Sequence, residues 1–195
     1  DIAQNAIDLA RAIGVERPKV AILSAVETVT PKIPSTLEAA ALCKMADRGQ
    51  IAGGVLDGPL AFDNAISRDA AAAKGIVSDV AGEADVLIAP DLEAGNILAK
   101  QLVFLAGAED AGLVLGARCP VIVTSRADSP AARIASVALA QLYAYWAERQ
   151  AAAKLALGDD EIVVNAQGDE PEMAGEVIDA AVRALGQEGV SVGTV

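Results

Sequence analysis

"ADVLIAPDLEAGNILAKQL", Ala84–Leu102, decides the fold. Val86, Leu87 and Ile88 form a short apolar run closed by Pro90, the pattern of a buried parallel strand. Asp91 then stands where a helix cap belongs, and apolar residues at helical spacing follow to Phe104. A strand feeding straight into a helix is half of a βαβ unit.

The same grammar repeats outward along the chain. "DIAQNAIDLARAIG" has a helical face of Ile2, Ala6, Leu9, Ala10 and Ile13, ended by Gly14. "KVAILSAVE" reads as a buried strand. "PKIPSTLEAAALCKMADRG" reads as a helix capped by Ser35, with Glu38 completing a capping box, and stopped at Gly49. "IAGGVLDGPL" is a strand entering a turn at Asp57–Pro59, and "AFDNAISRDAAAAKG" a single helix ending at Gly75. "AGLVLGARCPVIVTS" supplies one or two more strands. A long helix then begins near Pro130, where a missing amide costs nothing. "DEIVVNAQGDEP", "EVIDAAVRALG" and "VSVGTV" read as strand, helix and strand. The expected fold is α/β, an open doubly wound, mostly parallel sheet with helices on both faces.

Composition narrows the chemistry. The 195 residues are 53% hydrophobic but only 3% aromatic, so the core must be built from Ala, Val, Leu and Ile. A net charge of -12 repels nucleic acid and anionic membranes, leaving small ligands held locally as partners. There is no histidine, and Cys43 and Cys119 lie in apolar runs that read as buried thiols. No metal spacing is present, and a reducing, cytoplasmic setting is expected. No stretch has membrane-span length, and the opening helix lacks the basic leader of a targeting peptide. Glycine-rich dinucleotide, P-loop and nucleophile-elbow motifs are absent.

In doubly wound sheets, ligands sit beyond the carboxyl ends of the strands. The loops there are "ETVTPKIPST", "LDGPLAFDN", "APDLEAGN", "TSRADSP" and "NAQGDEP". In "TSRADSP", Ser125 and Arg126 could hold a phosphate or carboxylate, or Arg126 could be a solvated arginine. Asp128 and Ser129 could be helix caps, and Arg133 a partner of Asp128. In "LDGPLAFDN", Asp57 could accept from a ligand, or it could close a turn with Gly58 and Pro59. After Pro90, a line of Gly95, Asn96 and Lys100 along one helix face suits an anionic ligand equally with plain solvent.

The wording of "KVAILSAVETVTPKIPSTLEA", "DGPLAFDNAISRDAAAAKGI" and "PDLEAGN" followed by "TSRADS" resembles the phosphate acetyl/butyryltransferase family, from about Asp1 to Glu148. That resemblance implies acyl transfer between coenzyme A and inorganic phosphate, in a cleft between two α/β domains. It assigns Ser125 and Arg126 to the acyl-phosphate end. It assigns the loops at Asp57–Pro59 and Pro90–Asn96 to the mouth, and Lys100 and Asp128 are further candidates for substrate binding. Coenzyme A would be a substrate, with no tightly bound cofactor. The acetyl branch's aspartate base falls at Ala132 here, so the base stays open.

Two departures follow from the resemblance. It covers the second domain and the return segment, so the first domain's half of the cleft is expected to be missing and the chain to be silent or self-associating. The tail, residues 151–195, resembles part of the CMP-KDO synthetase family instead. There the aspartate of "QGDEP", here Asp169, helps hold magnesium, though Asp169 alone makes no site and could simply belong to a turn. The expected organisation is an acyltransferase-like domain over 1–150 and a strand–helix–strand tail over 151–195 that completes the same sheet.

Overall fold

A computed structural model of the chain describes residues 1–154. Of the tail expected to resemble a nucleotidyltransferase, residues 151–154 are described, as the end of a helix, and the rest, Asp169 included, lies outside the described residues. A three-stranded parallel sheet of order β2-β1-β3 holds the fold, from β1 (Lys19–Leu23), β2 (Val55–Leu60) and β3 (Val86–Ile88). Val20, Ala21, Ile22 and Leu23 of the central strand are all buried. Strand side chains alternate between faces. Val20 and Ile22 accordingly join Ala3 and Ile7 of α1 (Ile2–Ala12) and Ala39 of α2 (Pro34–Asp47). Ala21 and Leu23 face the other way, onto Leu60, Val80 and Ala65 of α3 (Phe62–Ile66). Helices thus cover both sides of a parallel sheet, as the alternating pattern requires.

Several local expectations shift. The buried stripe of α1 is Ala3, Ile7 and Ala10, while Ile2 and Ile13 are exposed. It is a narrower face than apolarity alone marks out. Ser35 does not cap α2. The helix starts at Pro34 with Ile33 before it, and the Ser35 hydroxyl bonds that of Ser24 at 2.9 Å. The single helix expected after β2 is two, α3 and α4 (Arg68–Ala73), because Ser67 is extended and caps the second, its Oγ accepting from the Ala70 amide at 3.3 Å.

The helix after β3 is α5 (Leu92–Ala106), capped by Asp91 and closed by Gly107 at φ +69°. None of its residues is buried, and Leu92, Phe104 and Leu105 are exposed. β4 (Leu113–Val114) and β5 (Val121–Ile122) do not extend the parallel sheet; they pair antiparallel as a separate ribbon. Their connection is too short for the helical crossover that a parallel neighbour needs, and Gly116 at φ +99° turns it back. The ribbon rests on α6 (Pro130–Lys154), where the buried Ser136 hydroxyl accepts from the Gly112 amide at 3.0 Å and donates to the Ala132 carbonyl at 2.8 Å. No helix among the described residues is long and apolar enough to cross a membrane.

Charges fasten the entry to β1. The Glu83 carboxylate pairs with Lys19 and Arg68. The Lys19 hydrogen bond holds the Glu83 pKa below its ordinary 4.5, against partial burial and with help from Arg68. A depressed carboxylate stabilises the fold above its unfolded pKa, and the contribution is lost as pH falls through the folded value. Glu83→Gln is therefore expected to weaken the fold at neutral pH and to flatten the loss of stability below 4.5 in urea titrations at stepped pH. An acid profile identical to that of the unaltered chain would contradict this.

Candidate active site

All three strands of the parallel sheet end at one rim, where β1 stops at Leu23, β2 at Leu60 and β3 at Ile88. The Ser24 amide donates to the Leu60 carbonyl at 2.9 Å and ties the first two ends together. Just inside this rim lie Asp57, Gly58 and Pro59. They were expected in a turn, and they are strand residues instead. Ala21 pairs with Asp57 and Leu23 with Leu60, so the register slips by one residue there. Gly58 is needed at that slip, because an added Cβ would stand 2.7 Å from the Ile22 carbonyl oxygen. Pro59 is buried, and the Asp57 carboxylate accepts from the Gly58 amide at 2.8 Å.

Cys43 donates weakly to the Gly58 carbonyl at 3.6 Å. Burial, then the nearby Asp57 and Asp47, push its thiol up to about 11. Cys119, expected to be buried, is exposed, because its apolar neighbours lie in the outlying β4–β5 ribbon. Only a thiolate alkylates readily, so iodoacetamide at about pH 8 is expected to label Cys119 and spare Cys43. Equal labelling by mass spectrometry would refute that assignment.

At the end of β3, Pro90 is exposed and Asp91 caps α5, its carboxylate accepting from the Ala94 amide at 2.7 Å. The glycine in the opening turns has an intramolecular reason. A Cβ on Gly95 would come within 3.3 Å of the Ala89 methyl, where the helix folds back over its own strand. Asn96 is exposed, and the Lys100 ammonium sits 6.0 Å from the centre of the Phe104 ring.

Ser125 and Arg126 follow β5, so they stand on the ribbon and not on the parallel sheet. Their turn is self-closing. The Asp128 carboxylate accepts from the Ser125 amide, the Ser125 carbonyl accepts from the Asp128 amide at 3.1 Å, and the Ser125 hydroxyl accepts from the Ala127 amide at 3.3 Å. Ser129, not Asp128, caps α6, accepting from the Ala132 amide at 3.0 Å. Arg126 is exposed and makes no ion pair among the described residues, which leaves its donor fork open to solvent. Arg133 likewise forms no pair with Asp128. The rim thus gathers Asp57–Pro59 and Pro90–Gly95, whereas Ser125–Arg126 form a second group. No hydrogen bond or ion pair among the described residues joins the two groups.

Residue-by-residue reading missed a polar cluster on the same rim. Glu27, Asn64, Lys74 and Asp63 meet there from the loop after β1, from α3 and from the end of α4. Its only signal in the sequence is that Glu27 and Asn64 each follow a strand.

Residues 1–141 match the phosphate acetyl/butaryl transferase family. A phosphate acetyltransferase from Rhizobium meliloti is 70% identical over 152 residues, 78% of this chain and 48% of that protein. A phosphate butyryltransferase from Clostridium acetobutylicum is 50% identical over 144 residues, covering 74% of this chain and 48% of that one. The chain spans about half the length of these curated relatives. Among solved structures, a branched-chain phosphotransacylase from Enterococcus faecalis V583 superposes with a TM-score of 0.66 at 34% identity, over 74% of this chain and 51% of that one. With most of its length matched in sequence and in fold, the chain belongs to the phosphate acetyl/butaryl transferase family.

Proposed function

We propose that the chain carries the acyl-phosphate half of an acyltransferase that moves an acyl group between coenzyme A and inorganic phosphate. The observation that carries this reading is the 70% identity to a phosphate acetyltransferase across a stretch that includes Arg126 beside Ser125, exposed and without an ion pair among the described residues. In the forward direction a phosphate oxygen attacks the thioester carbonyl carbon. The tetrahedral intermediate then expels the coenzyme A thiolate and leaves an acyl phosphate. Arg126 offers a planar fork to the phosphoryl oxygens, and Ser125 a hydroxyl to the developing oxyanion. Asp57–Pro59 and Pro90–Asn96 would shape the mouth, with Lys100 beside it and Asp128 holding the Ser125 turn. Ala132 cannot take up a proton, so the chemistry relies on positioning and charge rather than on a base at that place.

Coenzyme A enters as a substrate and not as a resident cofactor. Small-molecule partners, a cytoplasmic setting and self-association through the exposed apolar residues of α5 belong to the same reading. The test is formation of acetyl or butyryl phosphate from the acyl-CoA and phosphate. Absence of product at high protein concentration would favour the alternative reading, a catalytically silent domain. A separate proposal attaches to "QGDEP", beyond the family match: magnesium-dependent CTP binding, to be lost in Asp169→Asn.

A further inference from the structure

We propose that Asn64 is a positioning residue for acyl transfer, holding the loop 25–33 through Glu27 as the middle wall of the substrate mouth. The proposal rests on the acyl-transfer reading above. β1 is the central strand, so its outgoing loop leaves the rim between the segments that follow β2 and β3. Polar groups fasten that loop along its length. The Ser24 and Ser35 hydroxyls bond at its base at 2.9 Å. The wholly buried Thr36 hydroxyl accepts from the Thr30 amide at 2.9 Å and faces the Thr30 and Ile33 carbonyls at 2.8 Å. Between these pins the Glu27 carboxylate accepts from the Asn64 side-chain amide at 3.4 Å and pairs with Lys74 at 3.5 Å. Lys74 also reaches Asp63 at 3.5 Å. Thr28 and Val29, next to the clamp, are exposed at the rim.

Asn64 itself is an expensive choice for a core position. It has no exposed surface, and its Oδ1 has no hydrogen-bond partner among the described residues. Turning the amide over would set Oδ1 against the Glu27 carboxylate, so that charge fixes which way it faces. The fold there is already held by the main chain, since the Asn64 carbonyl accepts from the Gly82 amide at 2.7 Å. A buried acceptor left unpaired destabilises, and an apolar residue of the same size would not carry it. What the asparagine adds over an apolar residue is its grip on Glu27.

The experiment compares the full chain with Asn64→Leu, Glu27→Ala and Glu27→Gln. It reads melting temperature, amide exchange and steady-state kinetics with acetyl-CoA and phosphate. In Asn64→Leu the melting temperature is expected to hold or rise, while amides of residues 25–33 exchange about tenfold faster. KM is expected to rise about tenfold, with kcat within about twofold of the unaltered chain. Glu27→Ala should speed exchange and raise KM likewise but lower the melting temperature, because it leaves the buried Asn64 amide without its acceptor, and Glu27→Gln, which keeps an acceptor for that amide, should recover most of the protection. Faster exchange spread over the whole chain with a lower melting temperature in Asn64→Leu would make Asn64 merely structural and overturn the proposal. Normal turnover with KM unchanged would overturn it while the acyl-transfer reading stands. An unaltered chain that neither turns over nor binds acetyl-CoA would overturn that reading and the proposal together.

Discussion

Arg126→Ala is expected to lower kcat/KM for acyl phosphate formation by about 10²–10³-fold, the usual loss when one preorganised donor to developing charge is removed. Arg126 is exposed and makes no ion pair among the described residues, so little of its removal should appear as lost stability. Melting followed by circular dichroism should therefore move hardly at all while turnover collapses. Arg126→Lys separates charge from shape. A lysine keeps the positive charge and loses the planar fork, so recovery should be partial. Turnover in Arg126→Ala equal to that of the unaltered chain would remove this arginine from the chemistry. A melting temperature that falls in step with activity would reassign it to the fold.

Gly58→Ala should damage the sheet instead. The new methyl would lie 2.7 Å from the Ile22 carbonyl oxygen and 2.8 Å from the Ile22 Cβ. Both neighbours belong to the buried central strand, so neither can swing aside. Overpacking of this kind costs about 1–3 kcal/mol, read as a fall in the urea midpoint. Gly95→Ala is the control. Its methyl would meet only the Ala89 methyl at 3.3 Å, in a helix with no buried residue, and Ala is the better helix former. Similar midpoints for the two variants would show that the contact at Ile22 relaxes freely.

Elements that carry their own signals were legible from the sequence. Asp91 caps α5, Pro130 opens α6, and the apolar run of β1 is buried on both faces. What escaped was settled by contacts between distant segments. Nothing near Asp57–Pro59 announces that it stays in the strand, because the reason is the approach of Ile22 from 36 residues away in sequence (58 against 22). β4 and β5 look like parallel strands by composition, and only the length of their connection makes them a hairpin. Ser67 broke a helix that alanine content alone would have continued, because its hydroxyl competes for the amide of the next turn. The candidate site divides the same way. Ser125 and Arg126 stand out in the sequence by following an apolar run and by their donor groups, and the resemblance gives them a role, whereas Asn64 looks like any polar residue until its burial is known.

The order β2-β1-β3 also governs when the sheet can exist. Of the three strands of this sheet, the one made first is the one destined for the middle, and its second partner ends at Ile88. Until then β1 has one neighbour at best, and its apolar residues must wait in solvent or in passing contacts. Joining Val20 to Val86 closes a long stretch of chain, a step whose entropy must be met before the contact returns anything. Nascent chains stopped short of Ile88 are therefore the ones that chaperones should hold longest.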